Sequence, residues 1–161
     1  MLTHESAGKC EEAVQRYLEA TRIDDRFADL HYRLGRCYQA IGNYAEARNR
    51  YIQALNLDTL RFRADTEINN IIRSIADSMS SEDIYLVDTE RKFEEKSPHG
   101  APGNELFDDH VHMNFRGNYI LARSMFKQVS KILPDWVRRY VLMIPYCRLF
   151  MTITKKTLRT S

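Results

Sequence analysis

The chain has 161 residues, 24 Lys+Arg against 22 Asp+Glu, a net charge of +2 and 43% hydrophobic residues. That is one compact domain's worth of chain, or one and a half. It excludes wholesale disorder, and the lack of a basic excess removes the electrostatic case for nucleic acid. Cys10, Cys37 and Cys147 are odd in number and widely spaced, which argues against a disulfide framework or a four-cysteine zinc site. They fit buried thiols in a reducing compartment such as the cytoplasm.

Internal periodicity dominates the start of the chain. An offset of 34 residues pairs Gly8 with Gly42, Glu12 with Glu46, Ala13 with Ala47, Tyr17 with Tyr51, Ala20 with Ala54 and Asp24 with Asp58. The pattern predicts helices over 9–22, 26–41 and 44–57. Apolar residues recur at helical spacing: Val14, Tyr17 and Leu18, then Phe27, Leu30, Leu34 and Tyr38, then Ala47, Tyr51, Ala54 and Leu55. Gly35 and Ala54 are expected at the closest approach of the second and third helices, with Tyr51 filling the space between small residues.

The run Leu34-Gly35, Tyr38, Gly42, Tyr44, Ala47, Tyr51 and Ala54 resembles the tetratricopeptide repeat. The resemblance covers one repeat over about 28–61 and half of another over about 8–25. His31 stands where Trp is common, and Thr59 near the usual Pro. The family implies a helical stack that binds a peptide or protein. Asp29, Tyr32, Arg33, Arg36 and Gln39 would line its binding face. Such repeats bury their apolar faces only against neighbours, and about three are normally needed for independent stability. The chain is therefore expected to be the C-terminal piece of a longer protein.

Residues 63–79 read as a further helix, with Ile68, Ile71, Ile72, Ile75 and Ala76 on one stripe, suited to capping the stack. Then the period changes. Residues 84–87, Ile-Tyr-Leu-Val, form a short run of β-formers that predicts a buried parallel strand. No convincing partner strand follows in the chain. Residues 89–95 read as a helical turn. Residues 97–105, with Pro98, Gly100, Pro102 and Gly103, read as loop.

The chemistry-bearing segment follows. Asp108, Asp109, His110 and His112 precede a helix predicted over 114–133, with Ala122, Met125, Phe126, Val129, Ile132 and Leu133 inward. Asp109 and His112 are three apart. That spacing lets the carboxylate accept a hydrogen bond from Nδ1–H, leaving Nε2 as a general base. Two other readings stay open: Asp108 or Asp109 as a helix cap, or His110 and His112 with either Asp as part of a metal site that needs a further ligand.

The order Asp109-x-x-His112, Asn114, Gly117 resembles the last block of SGNH (GDSL-type) serine hydrolases, with Met113 where Pro is common. The resemblance spans about 83–135. It implies the last strand and helix of an α/β sandwich, with His112 as base, Asp109 as its orienting acid, and Asn114 and Gly117 as the helix-start motif. No Gly-Asp-Ser or Gly-x-Asn-Asp block occurs in the chain. The nucleophile would come from upstream polypeptide, and the chain alone is expected to be inactive.

The expected architecture is thus mostly α. Repeats occupy 1–61, a capping or linker helix 62–80, the C-terminal part of an SGNH-like domain 81–135, and a basic tail 136–161. The tail holds six basic residues and no acid, which leaves the rest of the chain with four more acids than bases. Its apolar run, around 140–154, contains Arg148 and is shorter than the roughly 18–20 residues of a spanning helix. It fits a basic amphipathic helix on a membrane surface, a packing helix, or sequence translated out of frame. The expected partners are the upstream part of the same polypeptide and a peptide or protein at the repeats, with no nucleic acid, no metal and no cofactor.

Overall fold

The computed structural model describes residues 7–143 other than residue 61. The described residues are mostly helical: α1 (Ala7–Thr21), α2 (Ala28–Ala40), α3 (Tyr44–Leu57), α4 (Thr66–Ser78), α5 (Thr89–Lys96), α6 (Phe115–Ile132) and α7 (Asp135–Met143). Short 3-10 turns lie at Ser80–Glu82 and Pro98–Gly100. Two compact units meet at Leu121 and Ala122, inside α6.

In the first unit, α1 and α2 pack around Cys10, Val14, Leu34 and Cys37, with Tyr17, Leu18 and Tyr38 against them, and α3 packs on α2. Leu34 is fully buried, a contribution of about 1.5–3 kcal/mol for a side chain of this size. The turn between α2 and α3 explains the repeat's glycine. Gly42 has φ +81°, its N–H reaches the Gln39 carbonyl at 3.1 Å, and the Asn43 N–H reaches that of Tyr38 at 2.9 Å. Those two bonds satisfy the last carbonyls of α2, and the left-handed residue between them favours glycine. Asn43 then caps α3 by accepting from the Glu46 N–H at 3.3 Å.

Gly35 is buried on α2, but its closest neighbour is Tyr51 rather than Ala54. A Cβ at Gly35 would lie 2.6 Å from Tyr51 Cε1. The aromatic ring fills the space that the small residues open, so it is the group that meets the glycine. His31, in the position common to Trp in this repeat, is 3% exposed. Its Nε2 lies 2.6 Å from the Asp25 carbonyl; a carbonyl can only accept, so Nε2 carries the proton.

Two expectations are corrected in this unit. Residues 84–88 lie outside helix and sheet, and Ile84 and Tyr85 are exposed. Among the described residues no strand forms. The one β-bridge among the described residues is an isolated antiparallel pairing of Phe107 with Met113. A run of β-formers needs a ladder partner, and none of the described segments supplies one. The stripe on α4 is likewise uncovered: Ile68, Ile71, Ile72 and Ile75 are exposed. What anchors α4 is polar. Buried Asp65 caps it through the Ile68 N–H at 2.8 Å. Arg73 bridges Asp88 at 2.8 Å and also binds Glu90, across the turn to α5.

Among the described residues, the second unit holds the rest of α6 and α7. Arg138 of α7 donates to the carbonyls of Lys131 and Leu133, at 3.2 and 3.1 Å, which satisfies the end of α6. Met125, Phe126, Val129 and Ile132 are exposed rather than inward, and Ala122 with them. The stripe has helical spacing but no described residue of this unit covers it. No helix among the described residues is long and apolar enough to cross a membrane. The tail from residue 144 onward lies outside the described residues.

Candidate functional site

The segment carrying Asp109 and His112 is a small closed loop built before α6. The N–H groups of Leu106 and Phe107 both reach the Gly103 carbonyl, at 2.9 and 3.0 Å. Leu106 is fully buried, and the Phe107 ring stands edge-on to Phe93 of α5 at 5.5 Å. Beyond that anchor the chain doubles back. The Asp108 N–H donates to the His112 carbonyl at 2.9 Å, and the Asn114 N–H to Leu106 at 3.0 Å. Residues 109–111 are left at the tip.

Asp109 ties the tip together. Its Oδ1 accepts from the N–H groups of Val111 and His112, both at 2.8 Å. Its Oδ2 lies 2.7 Å from His112 Nδ1. The His112 N–H first, then the Val111 N–H and the His112 ring, hold the Asp109 carboxyl well below the usual carboxylate range. An ionised carboxylate can only accept, so Nδ1 is the ring nitrogen that donates. The His112 side chain is 78% exposed, and the contact with Asp109 is made through Nδ1 rather than Nε2.

The supporting residues have separate tasks. Asn114 caps α6: its Oδ1 accepts from the Gly117 N–H at 3.1 Å, while its Nδ2 donates to the Asn104 carbonyl at 3.1 Å. The helix cap is therefore Asn114, and the reading of Asp108 or Asp109 as that cap is corrected. An Asn two residues beyond the histidine has the reach to serve the third helical N–H, which an aspartate in the preceding loop does not. Gly117 is buried, and a Cβ there would overlap the Leu106 carbonyl oxygen. This glycine is what lets the loop sit on the first turn of α6. His110 turns away from the pair and stands edge-on to Phe62 at 5.1 Å. No group of three or more His, Cys, Asp and Glu among the described residues could hold a metal ion.

The face proposed for the repeat is exposed along α2. Asp29, Tyr32, Arg33, Arg36 and Gln39 all reach solvent. Arg33 Nε donates to Asp29 at 2.6 Å. The Tyr51 hydroxyl donates to Gln39 Oε1 at 2.6 Å, and the Tyr32 ring lies 5.9 Å from that of Tyr51. Burial first, and the neighbouring Tyr32 next, push the Tyr51 phenol up to about 12, so it stays a donor at neutral pH.

Sequence reasoning missed a set of contacts between the repeat and the segment before the loop. Arg48 and Tyr44 of α3 reach Glu94, His99 and Gly100. Nothing in helical periodicity flags a pairing across about fifty residues.

Comparison with known families agrees with the geometry of the first three helices. Residues 6–42 match a family model described as TPR repeat, and residues 28–59 match one described as tetratricopeptide repeat. The second begins at the first residue of α2 and ends just past α3. No curated protein and no solved structure matches the chain. Together the two matches make residues 6–59 similar to tetratricopeptide repeats.

Proposed function

We propose that the chain joins a tetratricopeptide module for protein binding to the acid–base half of a Ser-His-Asp ester-hydrolase site. The observation that carries this reading is the 2.7 Å contact between Asp109 and the Nδ1 of an exposed His112. In the proposed reaction, Nε2 takes the proton of a serine hydroxyl as its oxygen attacks the acyl carbon. Asp109 stabilises the imidazolium that forms, and Nε2 then returns the proton to the leaving alkoxide. The serine and the groups that bind the oxyanion come from polypeptide beyond these residues, in the order that the SGNH resemblance implies.

A second reading has its own support. Asp109 also accepts two backbone N–H groups, which is what a purely structural turn would need, and the family matches end at residue 59. In that reading the loop is architecture and protein binding is the whole function. Activity of the full-length protein toward simple acyl esters separates the two. His112→Ala is expected to remove hydrolysis, by roughly three orders of magnitude or more, while His110→Ala is mild. Asp109→Ala should cost less than His112→Ala, because Asp109 transfers no proton. Wild-type activity in His112→Ala would leave the structural reading standing.

A further inference from the structure

Helix α3 does more than complete a repeat. Arg48 Nη2 donates to Glu94 Oε1 at 2.6 Å, and Nε of the same guanidinium donates to the Gly100 carbonyl at 3.1 Å. Both partners of the ion pair are about two-thirds shielded from solvent, where such a pair is screened less than at an open surface. One turn earlier, Tyr44 stacks on His99, with ring centroids 3.5 Å apart and planes 3° from parallel.

The receiving backbone is shaped for these contacts. His99 has φ +55° and Gly100 φ +71°. Two left-handed residues in succession, one with a bulky side chain, carry a conformational cost. A Cβ at Gly100 would come 3.1 Å from Arg48 Nε, so the guanidinium occupies the space that the missing side chain leaves. From there the contacts run on toward the site. Glu94 follows Phe93 on α5, the Phe93 ring meets Phe107 at 5.5 Å, and Phe107 pairs with Met113 at the base of the Asp109–His112 loop.

We propose that α3 of the repeat latches the site loop, with Arg48 and Tyr44 acting as positioning residues for Asp109 and His112 through Glu94, His99 and Gly100. The repeat is then one wall of the site's support rather than an appended module. The latch does not require His112 to be a catalytic base, so it can fail or hold independently of the hydrolase reading.

The test is amide hydrogen exchange in the full-length protein. In Arg48→Met, the Val111 and His112 amides, which donate to Asp109, are expected to exchange roughly tenfold faster, the scale of one lost charge-assisted hydrogen bond. The Leu34 amide in the repeat core should be unchanged. Tyr44→Leu should reproduce part of the effect, and Tyr44→Phe, which keeps the ring, should not. Unchanged exchange at Val111 and His112 in both Arg48→Met and Tyr44→Leu overturns the latch. So does equal acceleration of Leu34, which would make Arg48 a general stabiliser, and so does Tyr44→Phe behaving as Tyr44→Leu.

Discussion

The α2–α3 hairpin and helix α4 are written with the same apolar periodicity and end in opposite situations. In the hairpin, Leu34, Cys37 and Ala47 are buried, and Gly35 takes the Tyr51 ring against its backbone. On α4 the isoleucine stripe stays in solvent, with Ile71 51% and Ile75 52% exposed. Periodicity says which residues of a helix share a face. Whether the face is buried depends on a neighbour, and a repeat supplies its neighbour thirty-odd residues away by construction. The helix after the repeat has no such guarantee, and it holds its place through Asp65 and the Arg73 cluster instead.

The sharpest way to break this comparison is to shorten one side chain in each region. Leu34→Ala should cost about 3–4 kcal/mol, because the closed core cannot collapse onto the cavity. Ile75→Ala should cost under about 1 kcal/mol, as an exposed side chain has little burial to lose. The shift of the urea midpoint at constant slope reads both. Equal losses would mean that something covers the isoleucine stripe in solution. A dependence of the Ile75→Ala effect on protein concentration would then identify a second copy as that cover.

Glycine substitutions come next in size. In Gly117→Ala the new methyl meets the Leu106 backbone carbonyl, which has no rotamer to escape into, and about 2–3 kcal/mol should be lost. In Gly35→Ala the obstacle is the edge of the Tyr51 ring. The ring can tilt by giving up its bond to Gln39, and alanine regains about 1 kcal/mol of helix propensity. A net loss of about 1 kcal/mol is expected, recovered when Tyr51→Leu is added. If Gly117→Ala is neutral, the loop does not sit on α6 as described.

What could be read in advance follows the same physical division. The third helix was legible to the residue, 44–57, because the Gly42-Asn43 turn marks its start as clearly as its apolar face marks its course. The pairing of Asp109 with His112 was legible too, since a spacing of three in a turn leaves the two side chains few places to go. Residues 84–87 read as a strand because β-formers are half of a strand's signal; the other half is a partner, which no local pattern reports. The stripe on α6 misled for the same reason. The partner of Gly35 was Tyr51 rather than Ala54 because a register alignment says which helices meet, not which atoms. The link from Arg48 to Glu94 had no sequence signal, since a surface arginine's partner is set by the folded chain.

The smallest expected effect separates the two regions by what holds them. The repeat hairpin rests on apolar burial, which protonation does not touch. The site loop rests on a carboxylate. The His112 and Val111 N–H groups and the His112 ring lower the Asp109 carboxyl, and Arg73 chiefly lowers that of Asp88 at the start of α5. A carboxyl depressed in the folded state stabilises the fold at every pH above its unfolded value of about 4, and that contribution fades as pH falls through the folded value. Acid should therefore loosen the Asp109 loop while the α2–α3 core persists. Carboxyl carbon NMR through an acid titration is expected to show Asp109 still ionised after ordinary exposed aspartates have protonated. The Val111 and His112 amides should shift only when Asp109 itself protonates, and Leu34 should not move with them. Asp109→Asn keeps an acceptor oxygen but removes the charge, so in that variant the acid-linked shift of both amides should vanish. An Asp109 carboxyl that titrates with the ordinary aspartates would mean that the three hydrogen bonds at the tip do not form in solution, and the contrast between a carboxylate-held loop and a core-held repeat would fall with them.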